Sequence, residues 1–410
     1  MEWQFAAQAW TGRSPQLLNQ EAINAFVEPT PKEGKTQLPV YGTPGLSLFS
    51  RMGNGPILGA HVMGMSLYVL SGPDLYYITQ QSVLSAGLGN TVEAIYIGRT
   101  TISTLASMAD NAQQLVMVDG DVGWIYQPGG LYQTTTETAV AGSTEIPANI
   151  TGTITAGDPL VVGLDNGAIF QTTALYTVSA AGGTIYLTDP IPSQLTAGAI
   201  IIDQYLDLAA ITAPAFMPAS TVRYFDGYFV FAATNTRQFF LSSINDGTQY
   251  SGLDYATATA GSDYIIAVEI YHEQLLLMCG LHIEIWWNSG AAAFPFQRYD
   301  AAEIARGLAS RLAVVSEDNT VFWMGEDGIF YRLNNFLPQR VSTFSTEHAW
   351  AQYPLKYLDC SGFCLDQEGH KFIILNFPSG LETLCYDIAA SGAIGVPLWH
   401  QRQSRGSRTV

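Results

Sequence analysis

Short apolar runs and turn residues alternate along most of the chain, and one combination of them recurs six times. Each copy has an apolar-rich run, a turn containing Gly, Asp or Asn, and then an aromatic-rich run. The six copies span residues 67–78, 114–126, 228–242, 274–288, 320–333 and 371–387. Two strand-length apolar runs on either side of a tight turn predict a β-hairpin in each copy.

The spacing of these hairpins indicates a repeat architecture. Their turns, at Gly72, Gly120, Asn235, Gly280, Asp327 and Ser379, are separated by 48, 115, 45, 47 and 52 residues. A period of about 45 to 50 residues with one hairpin in each copy is typical of the four-stranded blades of a β-propeller. We therefore expect an all-β fold, a six-bladed β-propeller around a central channel.

The separation of 115 residues is longer than one repeat, and the surplus corresponds to residues 134–204. This stretch is rich in Thr, Ala, Gly and Ile, and its apolar positions follow the pattern of short strands and turns. It predicts a small all-β domain inserted between blades two and three. The alternative is a disordered low-complexity loop.

The expected domain organisation follows from these boundaries. The domains are an extended N-terminal arm (1–60), blades one and two (61–133), the inserted β domain (134–204) and blades three to six (205–410). One short helix is expected at residues 301–313, where Ile304, Leu308 and Leu312 fall on one face of a helix.

The charge of the chain disfavours binding to nucleic acid. The formal net charge is −18, from 17 basic and 35 acidic residues. The 123 residues between Arg99 and Arg223 contain no Lys, Arg or His but ten acidic residues. Binding to a phosphate backbone depends on clustered Lys and Arg, which this stretch lacks. Only 13% of the residues are charged and 48% are hydrophobic, which favours a surface covered by neighbouring subunits.

The expected cellular setting is a reducing cytoplasm. Met1 is followed by Glu2 and a mixed polar stretch, which does not predict a signal peptide. No apolar run reaches the roughly 18 residues that a membrane-spanning helix needs. Four cysteines in 410 residues, Cys279, Cys360, Cys364 and Cys385, are too few for a disulfide framework.

The segment KTQLPVYGTPGLSLF, at residues 35–49, resembles the opening of the packaged-DNA-stabilisation, or tail nozzle, proteins of short-tailed bacteriophages. Later segments are similar to the same family in their order and spacing. They are the LYYI end of the first hairpin, YFDGYFVF, FFLSSINDGTQYSGLDYATA, HIEIWWNSG and PLWHQRQS. The resemblance implies an oligomeric ring, usually of six copies, below the head-to-tail adaptor protein.

On this resemblance the chain is expected to be a structural virion protein, the hub or nozzle of a phage tail. It would extend and help close the DNA exit channel, retaining packaged DNA and allowing its ejection. Its expected partners are copies of itself, the adaptor above, and a tail needle, plug, fibre or spike, while DNA passes without specific binding. It would be assembled in the host cytoplasm and located in the virion tail. The alternative is a β-propeller binding module that recognises a host glycan or a partner protein.

One motif raises the question of an enzyme. Residues 316–323, SEDNTVFW, are close to the Asp-box of sialidase propellers, with Asn319 where Gly is expected. That motif is itself a structural turn, and a sialidase also needs three converging arginines and a tyrosine nucleophile. No such arrangement is evident in the sequence, so no enzymatic activity is expected.

The remaining candidate sites have simpler interpretations. Cys360, Cys364 and His370, with Cys385 across a hairpin, form a zinc candidate whose spacing departs from the usual C-x2-C, which favours packed thiols. The other histidines, His61, His272, His282, His348 and His400, are scattered, and Gly87-Leu88-Gly89 lacks the third glycine of a dinucleotide loop. The aromatic pairs Trp286-Trp287 and Trp323-Phe330 are expected to pack in the core. No catalytic, cofactor-binding or metal site is predicted.

Overall fold

The computed structural model of the protein describes residues 10–11, 19–20, 22–30, 38–79, 82–83, 92, 94–128, 131–150, 153–179, 183–203 and 206–404. These residues form mainly short strands joined by tight turns, and the paired strands are antiparallel. The predicted all-β class is therefore confirmed. No helix within these ranges has the length and apolar character needed to cross a membrane.

The N-terminal part contains four short strands and the first larger sheet. The short strands are β1 (Trp10–Thr11), β2 (Asn19–Gln20), β3 (Ala25–Val27) and β4 (Val40–Gly42). The first four-stranded sheet consists of β5 (Ile57–Met63), β6 (Ser66–Ser71), β7 (Asp74–Thr79) and β8 (Ile95–Arg99). The second sheet begins with β9 (Ser107–Asp110), β10 (Leu115–Val118) and β11 (Gly123–Pro128).

A separate group of strands interrupts the second sheet. It comprises β12 (Leu131–Thr135), β13 (Glu145–Asn149), β14 (Thr153–Ile154), β15 (Pro159–Gly163), β16 (Ile169–Thr173), β17 (Val178–Ser179), β18 (Thr184–Tyr186) and β19 (Ile200–Asp203). Six of them form one sheet in the order β16-β15-β19-β12-β13-β18, and β14 pairs with β17. They enclose their own apolar core, which includes Ile146, Leu160, Ile185 and Ile201.

The chain then returns to complete the second sheet. Strand β20 (Leu206–Ala210) pairs with β11, and Leu206 lies opposite Pro128. The strands of residues 131–203 therefore lie between the third and fourth strands of the second sheet. The repeat pattern predicts this segment after a completed second blade, whereas β20, on its far side, pairs with β11. The five-residue strand β20 carries no hairpin of its own, so the repeat pattern could not assign it.

Four further sheets follow in chain order. The third consists of β21 (Ala219–Phe225), β22 (Tyr228–Ala233), β23 (Gln238–Ser243) and β24 (Asp246–Thr257), and the fourth of β25 (Ile265–Tyr271), β26 (Gln274–Cys279), β27 (Ile283–Asn288) and β28 (Phe296–Ile304). The fifth consists of β29 (Val314–Glu317), β30 (Thr320–Met324), β31 (Phe330–Asn334) and β32 (Leu337–Arg340). Helix α1 (Phe344–Trp350) precedes the sixth sheet, which consists of β33 (Ser361–Gln367), β34 (His370–Phe377), β35 (Glu382–Asp387) and β36 (Trp399–Arg402). Helix α2 (Ile388–Ile394) connects β35 to β36.

All six predicted hairpins are present, as the second and third strands of the four-stranded sheets. The turns between first and second strands use the left-handed region of φ. Asp226 and Gly227 have φ values of 49° and 86°, and Asp318 and Asn319 have 51° and 58°. Two consecutive positive φ values define a type I′ turn, whose twist matches that of the two flanking strands. Asp, Asn and Gly tolerate positive φ values best.

The first strands of successive sheets contact one another in the order β5, β9, β21, β25, β29 and β33. An apolar core fills each space between successive sheets, from the first pair to the fifth. Strand β26 illustrates this packing. Leu275 and Leu277 face the third sheet, whereas Leu276 and Met278 face the fifth. A strand buried on both faces needs a continuous apolar run, which explains the sequence QLLLMC.

The N-terminal segment docks on the sixth sheet. The Asn24 N–H donates to the carbonyl of Gln401, and the Gln401 N–H donates to the carbonyl of Ala22, both at 2.8 Å. Phe26 packs on Phe372 and on the face of the sixth sheet that points away from the fifth. Residues 22–24 therefore pair with the outer edge of β36, and Phe26 covers a face of the sheet.

The predicted helix at residues 301–313 is wrong. Strand β28 continues to Ile304, and Ile304 and Leu308 are buried between the fourth and fifth sheets. At Gly307 an added Cβ would lie 2.2 Å from the Gly280 carbonyl oxygen, so the chain crosses closely over the neighbouring turn. The four-residue spacing of Ile304 and Leu308 therefore comes from the end of a strand and from the close crossing at Gly307 that follows it.

Candidate functional site

A cavity of about 820 Å³ lies at one end of the four-stranded sheets. Its walls come from the segments at the start of the first strands of the second to fifth sheets, and from the turns between the second and third strands of the second to fourth sheets. Leu358, before β33 of the sixth sheet, also lines it. Its polar lining includes Thr104, Asp119, Asp121, Thr234, Asn235 and Arg311. Because the first strands of successive sheets contact one another, this end of the first strands is where the sheets converge.

Arg311 crosses this cavity. Its Nη1 donates to the carbonyl of Ser220 at 2.9 Å, and its Nη2 donates to Thr104 Oγ1 at 3.1 Å and to the carbonyl of Leu105 at 2.5 Å. These bonds join the loop before β29 to the loop before β9 and to β21. Burial lowers the pKa of Arg311, and the Asp119 carboxylate opposes that shift. The Arg311 guanidinium is thus occupied by protein oxygens.

The acid beside Arg311 is also committed to local structure. Asp119 Oδ1 accepts from the backbone N–H groups of Asp121 and Val122, each at 3.1 Å, and Oδ2 accepts from Ser103 N–H at 3.2 Å. These bonds shape the turn between β10 and β11, as Asp side chains commonly do. Asp119 is therefore a turn residue of the cavity wall.

An ion pair between a partly buried arginine and a buried glutamate links the first strands of three sheets. Arg223 on β21 contacts Glu269 on β25 through Nη2 and Oε2 at 2.7 Å, and its Nη1 donates to Ser107 Oγ on β9 at 3.2 Å. Burial disfavours the charged guanidinium, but the Glu269 carboxylate outweighs it and raises the pKa of Arg223. This pair was not visible in the sequence, because its members are separated by 46 residues.

The Asp-box-like segment forms the hairpin turn between β29 and β30. Asp318, at its tip, pairs with Arg332 of the same sheet at 3.2 Å. Trp323, at its end, is fully buried and packs beside Tyr331. The structural interpretation of this motif as a turn is therefore confirmed.

The zinc candidate of the sequence analysis does not assemble. Among the residues that the structure describes, Cys360, Cys364 and His370 do not form a cluster with metal-ligand spacing. Cys360 is buried in the core between the fifth and sixth sheets, and His370 Nδ1 lies 2.7 Å from Asp387 Oδ2. Cys385 lies on the other face of the sixth sheet, in the cluster with Phe26.

Two of the scattered histidines, His282 and His400, are buried, which the sequence did not reveal. His400 is buried beside Arg402, and burial together with the charges of Arg402 and His370 lowers the pKa of His400 to about 3. His282 lies 3.0 Å from Asp263 and close to Cys279. Burial, followed by nearby carboxylates, raises the pKa of the Cys279 thiol, so this group lacks the exposure and low pKa of a nucleophile.

The aromatic pairs lie mainly in the core. Trp286 is buried and packs edge-to-face on Phe239, and Phe330 is fully buried against Trp399. Trp287 is the exception, because it is 37% exposed beside Tyr299. The Gly87-Leu88-Gly89 segment lies outside the described residues.

A family model described as "Bacteriophage P22 Gp10, beta-propeller" matches residues 119–409, which is more than half of the chain. The match begins at the turn between β10 and β11. The segment at residues 35–49, which resembles a phage family, lies outside the matched range. No curated protein sequence matches the chain.

Solved structures show only distant likeness. Hsv2 of Kluyveromyces lactis is 8% identical over 85% of this chain and 98% of its own, with a TM-score of 0.35. The Pan2 WD40 domain of Neurospora crassa is 6% identical over 86% and 77%, with a TM-score of 0.34. The endosialidase of phage phi92 is 12% identical over 92% and 62%, also at 0.34. TM-scores this low do not establish a shared function.

Proposed function

The chain belongs to the bacteriophage P22 Gp10 β-propeller family, and from this we propose that it is a structural protein of a short-tailed phage tail. Several copies, expected to be six, form a ring below the portal and its adaptor. The ring extends the DNA exit channel and helps to close it, so that packaged DNA is retained until ejection. The family match over residues 119–409 carries this proposal.

We also infer the organisation of the propeller. Each four-stranded sheet is one blade, with its first strand innermost. The ordered contacts between first strands and the cores between successive sheets support this assignment. Residues 131–203 form an inserted β domain within the second blade, because β11 and β20 on either side of them pair directly.

The distribution of charge supports passage of DNA without specific binding. The described residues between Arg99 and Arg223 display exposed acids, including Glu137, Glu145 and Asp165, and this stretch contains no basic residue. Arg223 and Arg311 are held by Glu269 and by backbone carbonyls. A surface of this kind offers a phosphate backbone no cations that could release its counterions.

The function proposed is therefore mechanical rather than catalytic. Two features of the chain could suggest catalysis. The Asp-box-like residues 316–323 form a hairpin turn, and the Cys279 thiol is buried. The protein would act by assembly with its own copies, with the adaptor above and with a needle, plug, fibre or spike below. By completing a closed tail, the protein would retain the genome without binding the DNA tightly.

A phage that lacks this protein tests the proposal directly. Its particles should package their genome and then lose it, because the exit channel remains open. DNA content should therefore be normal inside infected cells and low in purified particles, and supplying the protein in trans should restore it. Particles that retain their DNA without the protein, or purified tails that do not contain it, would overturn the proposal.

The isolated chain provides a second test. At about 0.15 M salt it should bind duplex DNA negligibly, and Arg298→Ala and Arg311→Ala should leave this result unchanged. Tight and salt-sensitive duplex binding would instead point to a direct clamp. Specific capture of a host glycan by the isolated chain would favour the binding-module alternative.

A further inference from the structure

Three side chains that could bind a metal ion converge beside the turn between β26 and β27. Cys279 and His282 flank this turn, and the Cys279 N–H closes it by donating to the His282 carbonyl at 2.9 Å. Asp263, just before β25, lies beside them, with its Oδ1 3.0 Å from His282 Nδ1. One ligand atom from each of the three residues lies within 4.8 Å of the others.

The backbone leaves space next to these atoms only because residue 261 is Gly. A Cβ at Gly261 would lie 2.4 Å from Asp263 Oδ1 and 2.5 Å from His282 Cε1, closer than such atoms approach. The Gly261 carbonyl accepts a hydrogen bond from Arg237 Nη1 at 3.1 Å, which holds this loop in place. The loop therefore passes directly over the carboxylate and the imidazole.

The second ring nitrogen of His282 is an independent indication of a ligand. His282 is 5% exposed, and its Nε2 has no hydrogen-bond partner among the described residues. Glu284 Oε1, on a fully buried side chain, lies 3.7 Å from this nitrogen. Glu284 is oriented by Thr259 N–H at 2.7 Å and by Trp286 Nε1 at 2.8 Å.

This arrangement corresponds to the surroundings of a metal-bound histidine. A histidine that binds a metal through one nitrogen usually donates its other N–H to a carboxylate, which fixes the orientation of the ring. Here Asp263 lies next to Nδ1 and Glu284 is the carboxylate nearest to Nε2. Glu284 Oε1, at 3.7 Å from Nε2, is just beyond hydrogen-bond distance.

We propose that Asp263, Cys279 and His282 bind one Zn²⁺ ion, His282 through Nδ1, with Glu284 as the acceptor for Nε2–H. Thiolate, imidazole and carboxylate together select zinc rather than Mg²⁺ or Ca²⁺, which prefer oxygen ligands alone. Binding replaces the Cys279 thiol proton, which is released to solvent. The inference does not depend on the role of the protein in the tail.

The proposed site adjoins the cavity at the convergence of the sheets. Tyr264 and Gly280, which neighbour two of the ligands in sequence, both line that cavity. A water molecule or a side chain of another subunit is therefore able to complete the tetrahedron. The ion would tie the loop that precedes β25 to the turn between β26 and β27.

Metal content of the purified full chain, prepared without a histidine tag, tests the proposal. After treatment with a chelator and dialysis against Zn²⁺, we expect one bound zinc per chain by mass spectrometry of metals. Cys279→Ser and His282→Asn should abolish this binding. Cys385→Ser is the matched control, because Cys385 is equally buried but lies outside the cluster. Glu284→Gln should weaken zinc binding about 10–100-fold.

Cobalt spectroscopy of the unaltered protein tests the same site without depending on whether the variants fold. Co²⁺ in the same site should show the intense visible bands of tetrahedral coordination and a sulfur-to-cobalt charge-transfer band. Zinc should displace these bands stoichiometrically. Absence of stoichiometric zinc binding by the unaltered chain, a cobalt spectrum without the sulfur band, or equal zinc loss in Cys385→Ser and Cys279→Ser would each overturn the proposal.

Discussion

Arg311 Nη2 donates a hydrogen bond to the carbonyl of Leu105 at 2.5 Å, although the two residues are 206 positions apart. The same side chain reaches the carbonyl of Ser220, so one guanidinium joins the entrances of the second, third and fifth sheets. Arg311 therefore links three sheets at the end where the sheets converge.

Replacing Arg311 by Ala should lower stability without affecting DNA affinity. The change leaves two backbone carbonyls without their charged donor, which we expect to cost about 1–3 kcal/mol of the free energy of unfolding. Arg306→Ala is the control, because Arg306 is 47% exposed and pairs with Asp327 at the surface, so its loss should cost less than about 1 kcal/mol. Urea denaturation measures both values. Equal losses would contradict a special role for Arg311.

The pair formed by Arg223 and the buried Glu269 should show strong coupling. Arg223→Met leaves Glu269 buried without its cation and should cost about 3–5 kcal/mol of the free energy of unfolding. The double variant Arg223→Met with Glu269→Leu removes both charges and should cost less than the Arg223→Met change alone. A double-mutant cycle by chemical denaturation measures the coupling. Additive losses would show that the two side chains do not stabilise each other.

Residues 131–203 should be removable. Pro128 and Leu206 lie opposite each other in the second sheet, so an Asn-Gly turn joining them would close a hairpin of β11 and β20. The shortened chain should remain folded, and the excised segment should fold alone around the core that contains Ile146 and Leu160. Circular dichroism and thermal unfolding of both pieces test this. Loss of a cooperative transition in the shortened chain would contradict an inserted domain.

Acid should destabilise the protein through His400. The folded pKa of His400, at about 3, lies below the value of about 6.5 expected for the unfolded chain. The unfolded chain therefore binds the proton first as the pH falls. The contribution of His400 to stability is complete above about pH 6.5 and declines by about 1.4 kcal/mol per pH unit toward pH 3.

Replacing this histidine should reduce the sensitivity to acid. Stability measured between about pH 6.5 and 3 should decline less steeply in His400→Gln than in the unaltered chain. His348→Gln, on helix α1, is the control and should follow the unaltered chain. Parallel curves for His400→Gln and the unaltered chain would show that His400 does not carry the difference.

The N-terminal segment should stabilise the last strand through Asn24. Asn24 Nδ2 donates to the Gln403 carbonyl at 3.0 Å, and Asn24 Oδ1 accepts from the Gln403 N–H at 2.8 Å. Asn24→Gly removes both bonds but tolerates the φ of 49° at this position, and should cost about 1–3 kcal/mol. Asn24→Ala should cost about 1 kcal/mol more because of backbone strain.

Amide hydrogen exchange shows where that stability is lost. The amides of Gln401 and Gln403 should exchange faster in both Asn24 variants, while those of β26 should not change. Unchanged exchange at Gln401 would mean that the N-terminal segment does not hold β36.

Local features were predictable from the sequence because their cause is local. A hairpin depends on a few consecutive residues, such as the run QLLLMC before the turn at Gly280 or Asp226-Gly227 with two positive φ values. The six hairpins and the all-β class follow from such segments. The helix expected at residues 301–313 failed for the same reason, since a four-residue spacing of Ile304 and Leu308 has more than one structural origin.

Relationships between distant segments were decided only by the tertiary structure. The pairing of β20 with β11 across residues 131–203, the docking of Phe26 on the sixth sheet and the bond from Arg311 to Leu105 all depend on where whole sheets lie. The cluster of Asp263, Cys279 and His282 also belongs to this class. Hydrophobic periodicity reports which face of a strand is buried, but it carries no information about which distant residue packs there.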